Sequence, residues 1–251
     1  MTALATIPES TRRLLTVDRG NSTFDCLDHD HRVRRRFGVD TAGEAAAVQF
    51  VVATKPTVCI AATVVRSGLR PLIDALANEG CPLLEAGVDL TCPLEVDYEP
   101  ATDLGVDRWL GALAAFRRFG RAIVVDCGSA TTVNIVDGGG CFRGGVIAPG
   151  LRAFVAGMNF LTPALPKARF DSAPSALPRS SQDAVDAGVL LGYCGMVERL
   201  VANAHRVLGS PATLVVTGGH APLVQHHGRL RAEVVDDLVH EGLKLLAEQV
   251  A

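Results

Sequence analysis

Two short stretches of this chain join a carboxylate to a glycine turn flanked by hydroxyls, the combination that a phosphate group and its metal require. In the first, an apolar strand from Leu14 ends at Asp18 and is followed by Arg19, Gly20, Asn21 and Ser22, with Thr23, Phe24 and Asp25 opening the return strand. The second, VVDCGSATTVNIV from Val124 to Val136, runs in the same order: β-branched residues, Asp126, the small residues Cys127, Gly128, Ser129 and Ala130, then a resumed strand from Thr131. Small residues let the chain turn back with backbone N–H groups free to face an anion, and carboxylates hold a hydrated cation. A third glycine turn, Thr217 to Gly219, ends a β-branched strand and lets a nucleotide lie against bare backbone. Either Asp-turn alone is ordinary hairpin punctuation. Two at matching positions, with a strand-Gly-Gly after them, read as a triphosphate site with Asp18 and Asp126 on opposite sides of one cleft.

One further pair stands apart from the turns. Leu104 opens a segment whose Trp109, Leu110, Leu113, Ala114 and Phe116 fall on one helical face, so Asp107 and Arg108 lie near a helix start. Taken in isolation they read as a carboxylate favoured by the helix dipole and a surface cation.

The elements needed to hold these residues follow from the rest of the pattern. With 251 residues and the same hairpin occurring twice, two similar domains are expected, divided as 1–120 and 121–251. Helices are expected at Thr41 to Phe50, Leu69 to Glu79, Asp183 to Leu208 and Asp236 to Val250. Strands are expected at Pro56 to Val64, Cys81 to Glu85, Ala122 to Asp126, Thr131 to Val136, Cys141 to Ile147 and Thr213 to Thr217. Hairpins followed by alternating helix and strand imply an α/β chain with mixed sheets flanked by helices. Gly188, Gly192 and Gly195 leave one face of the long helix open to close packing, and Ser180 or Ser181 can cap it.

Composition narrows the function classes. Twenty-four Lys and Arg against 27 Asp and Glu give a net charge of −3, which offers no footprint for nucleic acid or an anionic membrane. The basic run Arg32 to Arg36 reads as a solvated strand edge or turn. No apolar run reaches membrane-helix length, the opening residues with Pro8 and Glu9 do not form a signal peptide, and order is expected beyond about the first ten residues, so a cytoplasmic protein is expected. Seven scattered cysteines without a C-x-x-C pair read as reduced core residues, and His226 and His227 as exposed loop histidines.

GVDRW at Gly105 to Trp109, DCGSATT from Asp126, GGVIAPGL at Gly144 to Leu151, TGGHA at Thr217 to Ala221 and HEGLKLL near the C-terminus together resemble type III pantothenate kinases. Those kinases fall within the acetate and sugar kinase, Hsp70 and actin superfamily. The resemblance implies two ribonuclease-H-like, actin-like ATPase domains and transfer of the γ-phosphate of ATP to pantothenate, the opening reaction of coenzyme A synthesis. It makes Asp107 the proton acceptor, with Tyr98, Gly105, Val106, Asp107, Arg108 and Ser181 lining the pantothenate site. Arg108 suits the pantothenate carboxylate because its guanidinium can pair with it through two parallel hydrogen bonds. ATP falls to Asp18 through Asp25 and to Ser129, a potassium or ammonium ion to Asp126, and magnesium to Asp18 through water. A homodimer is implied, with Ser181 near the subunit boundary.

The chain departs from the family pattern at several positions. Ser22, Ser129 and Ser181 stand where Thr is common, which keeps the hydroxyl and drops a methyl. Asn134 replaces a usual Asp, and Arg19 an apolar residue. Two other readings use the same fold: a kinase for another small molecule, opposed by the G-x-D-R string beside Tyr98, and an inactive homologue acting as an accessory regulator, opposed by intact Asp18, Asp107 and Asp126.

Overall fold

The computed structural model describes residues 13–170 and 174–249. The opening residues with Pro8 and Glu9, the stretch 171–173, and residues 250 and 251 lie outside the described residues. In chain order the elements are β1 (Leu14–Arg19), β2 (Thr23–Asp28), β3 (Val33–Gly38), α1 (Thr41–Ala53), β4 (Val58–Thr63), α2 (Arg70–Asn78), β5 (Leu83–Glu85) and β6 (Glu95–Val96). A 3₁₀ turn at Ala101–Asp103 leads into α3 (Val106–Phe119), then β7 (Ala122–Cys127), β8 (Ala130–Val136), β9 (Cys141–Pro149), α4 (Leu151–Leu161) and α5 (Ser181–Leu208). The chain closes with β10 (Thr213–Thr217), α6 (Ala221–His227), β11 (Glu233–Val234) and α7 (Leu238–Gln249).

Two compact units result. One takes the chain up to Glu95, Glu99–Ala114 and everything from Leu238; the other takes Val96–Tyr98 and Ala115–Asp237. The expected division at residue 120 therefore differs from the observed one, because α7 returns to the first unit. Burial drives that return: Leu238, Leu243 and Leu246 of α7 are almost fully buried. Gly242 permits the close approach, since a Cβ there would lie 2.5 Å from the Leu110 carbonyl oxygen of α3.

The first unit carries a five-stranded sheet in the order β3-β2-β1-β4-β5, antiparallel across β1, β2 and β3 and parallel from β1 to β4 to β5. Leu15 and Val17 of β1 join Phe24, Cys26, Val51, Leu72 and Leu76 in a core shared with α1 and α2. Thr16 and Asp18 point to the other face by the two-residue strand period, and α7 covers that face. Cover on both sides accounts for the unbroken apolar run of β4, buried from Val58 to Ala62.

The second unit repeats the plan on its own. Its six-stranded sheet, read β9-β8-β7-β10-β11 with β6 beyond β9, again has two antiparallel pairings followed by two parallel ones. Ile123, Val125 and Val133 pack with Leu151 of α4, Val189, Tyr193 and Val197 of α5, and Val224 of α6. The repeated hairpin of the sequence is thus a repeated topology, with Asp18 and Asp126 each one residue from the end of the first strand.

Two local expectations are corrected. The run Arg32 to Arg36 lies largely in β3, an edge strand as expected, but Arg34 and Arg36 turn onto Asp25 rather than standing free in solvent. His226 and His227 occupy the last turn of α6, not a loop. All seven cysteines are free thiols, and every one except Cys92 is buried.

Candidate functional site

The first hairpin turns tightly, with the Gly20 N–H donating to the Thr23 carbonyl at 3.0 Å. Asp18 and Asp25 are direct partners across β1 and β2, so their side chains share a face. Asn21 and Thr23 are exposed, and Ser22 lies between them, partly buried. Arg19 folds back on the turn: its guanidinium lies 4.9 Å over the Phe24 ring and Nη1 donates to the Gly20 carbonyl. Asp25 is 7% exposed and engaged within the fold. Arg34 Nε and Nη2 donate to its two oxygens at 2.8 and 2.6 Å, and Arg36 Nε donates at 2.7 Å. Burial alone would push the Asp25 carboxyl up, but His240 and Arg34 outweigh it and hold the group well below the usual carboxylate range.

Gly105 to Arg108 form a compact motif at the start of α3. The Asp107 carboxylate folds back over the first turn, where Oδ1 accepts from the Arg108 N–H at 2.8 Å. Gly105 makes room for it, since a Cβ there would sit 2.7 Å from the same oxygen. Burial pushes the Asp107 carboxyl up, opposed by the Arg108 N–H and the Arg108 charge. Arg108 is 5% exposed, so the reading of a surface cation fails. Val106 is equally withdrawn, packed into the core.

In the second unit the turn between β7 and β8 is closed by the Gly128 N–H donating to the Ala130 carbonyl at 3.1 Å. Two glycines outside the turn make its shape possible. Gly218, at φ 89, lies so close that a Cβ would clash with Asp126 Oδ1 and stand 2.7 Å from the Cys127 nitrogen. Gly150, which caps α4, leaves a would-be Cβ 2.6 Å from the Gly128 carbonyl oxygen. Gly218 belongs to the turn expected from the sequence to lie against a nucleotide; Gly150 is not among the residues expected to touch ligand, although it lies in the string GGVIAPGL. Tyr193 of α5 is a second omission: wholly buried, it shares a 2.8 Å hydrogen bond with the Thr131 hydroxyl behind the turn. Its only sequence signal is a single Tyr on the apolar face of a long helix. Burial pushes the Cys127 thiol up to about 12, so it stays protonated and is no nucleophile.

Tyr98 packs edge-on against Phe142 with ring centroids 6.2 Å apart, next to Gly144 at φ 90. Ser180, not Ser181, caps α5, accepting from the Asp183 N–H at 3.1 Å. Ser181 is therefore left exposed at the first helical position. Asn134 is buried and donates to the Thr132 hydroxyl at 3.0 Å, so the amide that replaces a usual carboxylate is used inside the sheet.

Hard cations are the ones this chemistry would take. Among the described residues no group of three or more His, Cys, Asp or Glu side chains gathers to cage a metal. Carboxylates at turn ends that are not gathered into a cage fit instead an ion held mainly by phosphate and water, as magnesium is with nucleotides. Asp126, cradled by Gly218, has the oxygen chemistry for a monovalent cation. No helix among the described residues is long and apolar enough to cross a membrane.

A model of the type III pantothenate kinase family matches residues 14–203. A protein named type III pantothenate kinase from Anaeromyxobacter sp. (strain K) is 30% identical over 252 residues, covering 94% of this chain and 99% of its own length. Another of that name from Acidiphilium cryptum (strain JF-5) is 38% identical over 168 residues, covering 66% of this chain and 62% of its own. Among solved structures, a Campylobacter jejuni protein assigned to the Baf family of transcriptional activators superposes with a TM-score of 0.64 at 22% identity, over 94% of this chain and 98% of that one. MreB 5 of Spiroplasma citri bound to AMPPNP gives 0.53 at 11% identity, over 97% and 98%. At such identities both likenesses show the fold alone, that of the actin-like ATPases.

Proposed function

The chain belongs to the type III pantothenate kinase family, and from that premise we infer that it phosphorylates pantothenate with ATP, giving 4′-phosphopantothenate in the first step of coenzyme A synthesis. The observation that carries this reading is the Gly105–Arg108 motif: a carboxylate raised by burial and folded over a helix start, beside a buried guanidinium. A base with a raised pKa is better matched to a hydroxyl proton near neutrality than an ordinary exposed aspartate.

In the proposed reaction, Asp107 accepts the proton of the 4′-hydroxyl as that oxygen bonds to the γ-phosphorus and the bond to the β-phosphate oxygen breaks, releasing ADP. Arg108 pairs with the pantothenate carboxylate, which fixes the hydroxyl's distance from Asp107. Tyr98, Gly105, Val106 and Ser181 complete the acceptor site; Val106 does so from behind, through packing. The turn from Asp18 to Thr23, with Ser129, holds the phosphates through N–H groups and hydroxyls. Arg19 and Asp25 shape that turn from within the hairpin, judged by the partners they already have. Asp18 faces magnesium through water, and Asp126 holds potassium or ammonium. These ions, when bound, neutralise charge on the phosphates.

A homodimer is part of the proposal. Among the described residues nothing beyond chain neighbours and the helix's own backbone lies within 4 Å of a would-be Cβ at Gly188, Gly192 or Gly195, and Leu191 between them is 47% exposed. Phe160 and Leu161 at the end of α4 are 84% and 76% exposed. Apolar surface of that kind on adjoining helices suits a second copy of the chain. A cytoplasmic location accords with the free thiols.

Release of ADP by the purified chain, followed with and without pantothenate in potassium and then in sodium, tests the reading. Pantothenate-dependent release that is faster in potassium is expected. No dependence on pantothenate in either salt would contradict the acceptor and leave another small molecule or an accessory role.

A further inference from the structure

The face of β1 that carries Asp18 is covered by α7, and the contact is polar where an apolar one would serve. Thr16 is 0% and His240 1% exposed. The Thr16 hydroxyl lies 2.7 Å from His240 Nδ1 and 2.8 Å from His29 Nε2. On the far side of the ring, His240 Nε2 stands 3.5 Å from Asp25 Oδ1. Asp25 is ionised and gripped by Arg34 and Arg36.

Where each ring carries a single proton, these contacts and the Asp25 charge set one order of donors and acceptors. A neutral imidazole carries one N–H, and a hydroxyl donates once while accepting from others. A ring lone pair facing the Asp25 carboxylate would be repelled, so a single proton on the His240 ring sits on Nε2, whose 3.5 Å contact is longer than a good hydrogen bond. Nδ1 is then bare and accepts from Thr16. The Thr16 oxygen in turn accepts from a proton on His29 Nε2. The order is His29 Nε2–H to Thr16, Thr16 O–H to His240 Nδ1, and His240 Nε2–H toward Asp25.

Two members of this chain bracket Asp18. Thr16 lies two residues before it on the same face of β1, and Asp25 is its direct cross-strand partner. Two residues further along α7, Gly242 lies against the Leu110 carbonyl, one helical turn after Asp107. We propose that His240 is a positioning residue for phosphoryl transfer, which fixes the first phosphate hairpin to the helix bearing Asp107 through this one-directional chain. The inference rests on the reading that the Asp18 hairpin binds ATP. A shift of about 1 Å in a positioned group can cost on the order of 100-fold in rate, so α7 has leverage without touching substrate.

Two measurements on the full chain separate positioning from mere packing. Nitrogen-15 imidazole spectra, assigned with the His240 and His29 variants, are expected to show both rings protonated on Nε2; a proton on His240 Nδ1 would overturn the chain. ATP binding by calorimetry is expected to weaken by ~10-fold in His240→Leu, the loss of about one buried hydrogen bond. His240→Asn, whose amide oxygen can still accept from Thr16, recovers part of it. Thr16→Val repeats the loss should His240→Leu fail to fold, and Thr16→Ser regains most of it. Unaltered ATP affinity in folded Thr16→Val and His240→Asn would overturn the role. Absence of ATP binding by the unmodified protein would instead overturn the underlying reading of the hairpin, and this inference with it.

Discussion

The proposed reactivity of Asp107 depends on where α3 begins. Because burial raises its carboxyl above the ordinary aspartate value of about 3.9, and a base must be deprotonated to work, activity falls as pH drops through that raised value. We expect the acid limb of kcat/KM for pantothenate in the free enzyme to have its midpoint above about 4; a limb at or below the ordinary value would remove burial as the tuning force. Gly218 makes a second residue-scale prediction. Ala at this position meets Asp126 and Cys127 and must hold φ near 89, so it displaces the carboxylate. A fall of ~100-fold in kcat/KM for ATP is expected in a variant whose circular dichroism is unchanged, and near-normal kinetics would show that Asp126 need not sit there. At this scale the two tight turns were legible because an Asp followed two residues later by Gly ends a strand twice over; either turn alone is ordinary hairpin punctuation. Gly150 and Tyr193 were not legible, since what they do depends on which distant backbone they meet.

At the scale of elements, β2 and β3 are joined by charge as well as by their ladder. Replacing Asp25 with Ala strands Arg34, Arg36 and His240 around a vacancy. Because both arginines keep some access to water, the cost is put at about 2 kcal/mol rather than that of a fully buried pair, measurable by urea unfolding. The sign with pH follows from the depressed carboxyl. Its stabilisation is present above the ordinary value of about 3.9 and is lost as pH falls toward the lower folded value. The gap between the two proteins should therefore narrow below about pH 4; a gap that stays constant would assign the effect to packing. Most helices and strands could be read from periodicity, as β4 and α5 show. The arginines of β3 could not, because a basic run looks solvated until its partner, Asp25 on the neighbouring strand, is known.

At the scale of the whole molecule, the repeated hairpin foretold two sheets of matching topology. The cut between units was less legible, because nothing local in HEGLKLL says that α7 crosses back to Leu110 and Thr16. The open glycine face of α5 leads to a prediction about assembly: Gly192→Glu should convert a dimer to a monomer in sedimentation equilibrium, and a wild-type chain that is already monomeric would remove the proposed interface. Asp107 is the centre of the proposed reaction, and transfer of labelled γ-phosphate from ATP to pantothenate by the native chain and by Asp107→Asn tests that role most directly. A positioned general base contributes ~100 to 10,000-fold, so the variant should lose at least ~100-fold in turnover while binding ATP as before; label transfer at a near-native rate, or none by the native chain, would contradict it.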